Sequence, residues 1–135
     1  MELTPAARAF LEEKRFAVLA TVNRDGSPQQ TVVWYELQGD QIMMNTKRGR
    51  RKDRNLVRTP IASICVEDRL RYVTISGSVE LIDDQKIAQR DIERLATSYS
   101  GPESAARQVA AQFSKEERVT IRLRIDGVEV YGFAD

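Results

Sequence analysis

The sequence predicts a mainly β protein with short helices, in which about six antiparallel strands curl into a barrel. Three observations carry this. Six segments are rich in β-branched and aromatic residues, or alternate apolar with polar at the strand period of two. Compact turn signals separate several of them, at Asn23-Arg24-Asp25-Gly26, Gly39-Asp40 and Asp68-Arg69. The chain has 135 residues, and so many strands in one short domain avoid exposed edges most simply by closure.

Thr4-Pro5 reads as an N-cap and first-turn proline opening a helix over 5–14, with Ala6, Ala9, Phe10 and Glu13 at helical spacing. Residues 15–22, RFAVLATV, are almost wholly apolar and too short for a helix, so they predict a buried strand. PQQTVVWYEL, 28–37, is the second strand and QIMMNT, 41–46, the third, the three forming a meander. A helix over 50–58 follows, ended by Thr59-Pro60 because the residue before proline disfavours helix. Strands are predicted at 61–67 and 70–82, with Gly77 marking a bulge or close backbone approach. Asp83-Asp84 caps a helix that places Ala88, Ile92 and Leu95 on one face. Residues 98–104 contain Gly101-Pro102 and read as a loop. Ala106, Val109, Ala110 and Phe113 mark another helix, and 118–133 a last strand broken at Gly127.

Composition narrows the chemistry. There is no His and a single Cys, which excludes a Ser-His-Asp triad, a Cys-His dyad, a His general base and the usual zinc sites, so no metal site is expected. Cys65 has no partner for an internal disulfide and reads as a small core residue. That fits a cytoplasmic protein, as do the lack of a signal-peptide pattern and of any apolar run near 20 residues. No membrane partner is expected.

The net charge of +1 hides an uneven distribution. Residues 47–58, KRGRRKDRNLVR, hold seven basic residues against Asp53, a local +6, while the rest of the chain carries 14 basic and 19 acidic residues, or −5. Arg50, Arg51 and Lys52 fall in the first turn of their predicted helix, where the dipole already supplies about half a positive charge. A bound anion would reverse that cost, and Gly49, free amides and guanidinium groups make a good phosphate site. The competing readings are a solvated charged face and a nucleic-acid surface. The single sign of the run argues against the first. The acidic remainder argues against the second, so no nucleic-acid partner is expected.

The order VLATVNRDGSPQQTVVWYEL, IMMNTKRGRRKDRNLVRTPIASICV, RYVTISGSVELID and terminal VEVYGF resembles the pyridoxamine 5′-phosphate oxidase-like split β-barrel family, which binds FMN. Within it the chain is most similar to the branch that uses coenzyme F-420, a deazaflavin. The resemblance implies a six-stranded split barrel, a homodimer and two cofactor sites at the subunit interface. Where the flavin branch grips the phosphate with Ser-Arg-Lys, this chain has Arg50-Arg51-Lys52, so Arg51 and Lys52 carry over. Asn55 matches the Asn of the deazaflavin branch's R-x-K-x-R-N-L pattern. Gln30, Thr31, Val32, Val33 and Trp34 match the strand lining the tricyclic ring, and Asn45 and Thr46 the strand end beside the phosphate. Thr31 stands where flavin oxidases of the family carry a phosphate-binding Arg, which fits the deazaflavin branch. Charge adds Lys47, Arg48 and Arg54 as contacts for the acidic tail of F-420.

The implied activity is hydride transfer from reduced F-420 to an unsaturated organic acceptor. The alternatives are an FMN-dependent oxidase or reductase and a non-catalytic deazaflavin-binding protein. Trp34 and Tyr35 face opposite sides of one strand, one toward the core and the other toward the ring or the dimer interface. Tyr72 and Tyr131 pack in the core or an interface, and Asp83-Asp84 and Glu116-Glu117 read as caps and solvated acids. No side chain stands out as a catalytic acid or base, as suits chemistry carried by a cofactor.

Overall fold

The computed structural model describes residues 2–133. Its elements in chain order are α1 (Pro5–Glu12), β1 (Ala17–Val22), β2 (Pro28–Val33), β3 (Glu36–Gln38), β4 (Gln41–Lys47), α2 (Arg51–Arg58), β5 (Ile61–Glu67), β6 (Tyr72–Ile82), α3 (Gln85–Ser100), α4 (Pro102–Ala111), a 3-10 turn (Phe113–Lys115), β7 (Arg118–Arg124) and β8 (Gly127–Tyr131). Every pairing among the described strands is antiparallel.

The strands hydrogen-bond in the order β2-β1-β5-β6-β7-β4-β3, and β8 joins β6 off this path. β2 and β3 lie at opposite ends, yet only Trp34 and Tyr35 separate them in the chain. Three residue steps span at most ~11 Å, so the sheet must curl until its ends nearly meet. The result is an antiparallel half-barrel. Six predicted strands become eight because two of them break. The segment expected at 28–37 turns at Trp34-Tyr35, so its halves pair with β1 and β4 and the expected three-strand meander is two separate hairpins. The segment expected at 118–133 breaks at Ile125-Asp126, and its second half returns to β6.

The core is the inward row of each strand: Leu19, Val33, Ile42, Met44, Ile64, Val66, Val73, Ile75, Ile121 and Leu123. α1 plugs one end with Ala7, Phe10 and Leu11. That face differs from the expected Ala6, Ala9, Phe10 and Glu13. Thr4 Oγ1 accepts from Ala7 N–H, as its capping position predicts. α3 buries Ala88, Ile92 and Leu95 as its spacing predicts, but it runs through Ser100, so the expected loop over 98–104 shrinks to Gly101, with φ +85°. α4 accordingly begins at Pro102 and buries Ala105, and Phe113 belongs to the 3-10 turn. A Cβ at Gly77 would lie 1.9 Å from the Arg124 carbonyl oxygen, so this glycine marks the close backbone approach the sequence implied. Cys65 departs from expectation: it is half-buried on the outer face of β5. No helix among the described residues is long and apolar enough to cross a membrane.

Candidate functional site

The basic segment builds its own anchorage first. Asp53, its single acid, is buried and accepts from Arg48 Nε at 3.1 Å, Arg48 Nη2 at 3.2 Å and Gly49 N–H at 2.7 Å. An acid in the first turn of a helix also suits the dipole. Arg48 Nη1 donates to Asp83 Oδ2 at 3.0 Å, and the Asp53 bond foremost holds the guanidinium above its ordinary pKa. Arg48 is therefore engaged in shaping the loop, with Asp53 and Asp83 both drawing on its charge.

The following residues stay open. Arg50 is the N-cap of α2 and supplies no side-chain cap. Lys52 is half-buried and pairs with no carboxylate among the described residues. Burial, then the charges of Arg50 and Arg118, pull its ammonium below the ordinary lysine range. Arg51 and Arg54 are exposed and pair with no carboxylate among the described residues. With Arg24, Asn23 and Arg58 they line an open cleft of about 950 Å³ between α2 and the β1–β2 turn. Asp25 and Asp53 line the same cleft, but Arg24, Arg51, Arg54 and Arg58 outnumber them and leave it net cationic.

Asn55 joins these parts. Its Nδ2 donates to Thr21 Oγ1 at 3.1 Å and Asn23 Oδ1 at 3.0 Å, and its Oδ1 accepts from Arg58 at 2.8 Å. The side chain is buried and fixes α2 to the β1–β2 hairpin.

On β2, Gln30 and Val32 point outward, whereas Thr31 and Val33 point inward. Thr31 Oγ1 is buried with no hydrogen-bond partner among the described residues, which is costly for a hydroxyl. Among the described strands β2 pairs only with β1, so its other edge presents a row of backbone donors and acceptors to none of them. Tyr35 turns into the core, where its hydroxyl donates to Leu11 O at 2.8 Å. Trp34 is half-buried and stacks on Tyr99, with centroids 5.4 Å apart, on the other side. The opposite orientation of these two residues matches expectation, but both sit in the corner rather than in a strand.

At the end of β4, Lys47 is exposed beside the start of α2, and Thr46 is buried. Asn45 faces α3. It donates to Ala88 O at 2.9 Å and accepts from Arg118 Nε at 3.0 Å. The fold thus gathers Lys47, Arg51 and Lys52 at one helix start and places Asn55 beneath them. Gln30 and Val32 run along the adjoining outer face, while Asn45 and Trp34 lie toward α3 and Tyr99. Sequence reasoning missed Arg118 and Glu116. Glu116, expected to be solvated, is half-buried and pairs with Arg118 at 2.8 Å. Only the β4–β7 register, with Lys47 opposite Arg118, reveals their place. Tyr72 and Tyr131 lie outside the core, stacked on one another at 5.5 Å on the outer face.

The Pyridoxamine 5′-phosphate oxidase family matches residues 3–132. The chain belongs to that family. Solved structures similar to it share the split-barrel fold. Rv2991 from Mycobacterium tuberculosis is 26% identical, with a TM-score of 0.80 over 97% of this chain and 86% of that one. An F420 reductase is 25% identical, with a TM-score of 0.77 over 94% of this chain and 98% of that one. The heme storage protein HutZ from Vibrio cholerae is 21% identical, with a TM-score of 0.74 over 99% and 98%, a likeness of fold alone. A comparison with curated protein sequences finds no match.

Proposed function

We propose that this protein binds coenzyme F-420 and is a reductase that passes hydride from the reduced deazaflavin to an unsaturated organic acceptor. One observation carries the reading: Lys52 is a half-buried cation without a carboxylate partner, at an uncapped helix start, in a chain similar to an F420 reductase along nearly its whole length. A buried cation without a counter-charge is costly, and an anionic cofactor supplies the missing charge. The orphaned Thr31 hydroxyl and the unpaired edge of β2 fit a ring bearing carbonyl and N–H groups.

When bound, the deazaflavin supplies the hydride. The chain's own residues bind and orient it. Arg51 and Lys52 hold the phosphate, with Lys47 adding charge. Gln30, Val32 and the free backbone edge of β2 line the ring, with Thr31 and Val33 behind them on the inward face of the strand. Asn45, Thr46 and Asn55 keep β4 and α2 in place behind them. A second copy of the chain covers the outer sheet face, completing a homodimer with a shared site.

An FMN-dependent oxidoreductase is the second reading, favoured by the family match itself. Side-by-side fluorescence titrations separate the two. F-420 is expected to bind more tightly than FMN, and Lys52→Ala to weaken F-420 by about 1.5–3 kcal/mol. Tight FMN binding with no F-420 response would reverse the assignment. F-420 binding without reduction of any acceptor in a broad panel would leave a carrier rather than an enzyme.

A further inference from the structure

Arg118 is 6% exposed, in an otherwise mildly acidic scaffold. It opens β7 directly opposite Lys47. Its backbone N–H donates to Gln85 Oε1 at 3.0 Å and its carbonyl accepts from Gln85 Nε2 at 2.8 Å. Both backbone groups thus turn away from β4, so Lys47 and Arg118 form a non-hydrogen-bonded pair, the kind that brings side chains closest. Two cations in that position repel. The neighbouring loop tightens the arrangement: Arg48 N–H donates to Glu117 O at 2.8 Å and Arg50 N–H to Lys47 O at 3.3 Å. The starts of α2 and β7 are therefore stitched together.

Compensation for this crowding is incomplete. Arg118 Nε donates to Asn45 Oδ1 at 3.0 Å and Nη1 to Glu116 Oε1 at 2.8 Å, with the guanidinium 4.9 Å from the Phe113 ring centroid. These contacts fix its orientation and leave Nη2 without a partner among the described residues. Glu116 also faces Lys47 at 3.8 Å. One carboxylate therefore serves two cations, while Arg50 and Lys52 have none within 4.0 Å among the described residues.

We propose that Arg118 is a further binding residue of the anion site, sharing a phosphate-type group with Lys52, and that Glu116 orients its guanidinium while competing with the ligand for its charge. This rests on the reading that the start of α2 holds the cofactor phosphate. The pKa directions accord with it: burial, then Arg50 and Arg118, lower Lys52, and burial lowers Arg118 against the opposing pull of Glu116, with Arg50 adding to the depression.

The test compares wild type, Arg118→Gln and Glu116→Gln by calorimetric titration at low ionic strength. The probes are F-420, its phosphate-free deazaflavin chromophore and inorganic pyrophosphate. Arg118→Gln is expected to weaken F-420 and pyrophosphate about tenfold or more, and to leave the phosphate-free chromophore within about twofold. Glu116→Gln keeps the acceptor for Nη1 but removes the charge, so both phosphate-bearing probes should tighten about threefold. Equal weakening of F-420 and the chromophore by Arg118→Gln would make Arg118 a structural residue and overturn the proposal. If Arg118→Gln does not fold, Glu116→Gln decides, and unchanged or weaker pyrophosphate binding overturns it. A wild type that binds pyrophosphate with these variant effects, but neither F-420 nor FMN, would keep the anion site and sink the cofactor reading. Binding of no probe would sink both.

Discussion

The Asp53 carboxylate grips both Nε and Nη2 of Arg48, at 3.1 and 3.2 Å, and takes the Gly49 N–H as well. The lone acid of the basic segment thus shapes the loop that delivers the other cations. Asp53→Asn keeps the volume and removes the charge. It should cost about 1.5–3 kcal/mol, the range for hydrogen bonds to a charged group. Urea unfolding measures the loss, and an unchanged midpoint would show that the pair contributes nothing.

Lys52 carries a pH signature. Burial holds its native pKa below the ordinary lysine value of 10.5, with Arg50 and Arg118 adding to the effect. Between the native and unfolded pKa values the unfolded chain binds more protons, so stability rises with pH there. The cost of the buried charge is fully present below the native pKa and is relieved as pH climbs through it. The difference in unfolding free energy between wild type and Lys52→Met should therefore drift in favour of wild type as pH approaches 10.5. Pyrophosphate should flatten the drift by restoring the charged form. Parallel curves from pH 7 to 11 would refute the effect.

The strands were legible because alternation and turn residues act locally, and all six expected segments contain strand. The break in the last strand was legible at Gly127, which opens β8 just after Ile125-Asp126. The break at Trp34-Tyr35 was not, because it lies in a run whose β propensity continues unbroken, and only the need to switch partners along a curling sheet bends it. Similarly, Arg51 and Lys52 stood out through the single sign of their segment, whereas Arg118 follows a pair of acids that look like ordinary surface. Its burial depends on register with Lys47, a long-range fact absent from local pattern. The resemblance named Asn55 from its pattern, but its bonds to Thr21 and Asn23 emerge only when α2 meets the hairpin.

Asn55→Ala should release the hairpin from α2. Three polar partners lose their bonds, at a cost of about 1–3 kcal/mol. Amide exchange should rise locally, in 21–29 and 51–58, before any global unfolding. Uniform protection with unchanged stability would show that Asn55 is dispensable to the fold.

The outer sheet face yields the last prediction. Val32 is 66% and Ile61 52% exposed, near a shallow cleft of about 550 Å³ floored by Ala20, Ser63 and Ser76. Apolar side chains gathered on a face of small residues mark an interaction surface. Pairing through the free edge of β2 is disfavoured, because Pro28 at its start donates no hydrogen bond. The proposed second copy would therefore pack by its face. Val32→Glu with Ile61→Glu should convert a dimer to a monomer in sedimentation equilibrium. Both sites are exposed in the isolated chain, so monomer stability should change by about 0.5 kcal/mol or less. F-420 affinity should fall with dimerisation if the partner helps enclose the ring. A wild type that sediments as a monomer across the micromolar range would remove the face from consideration.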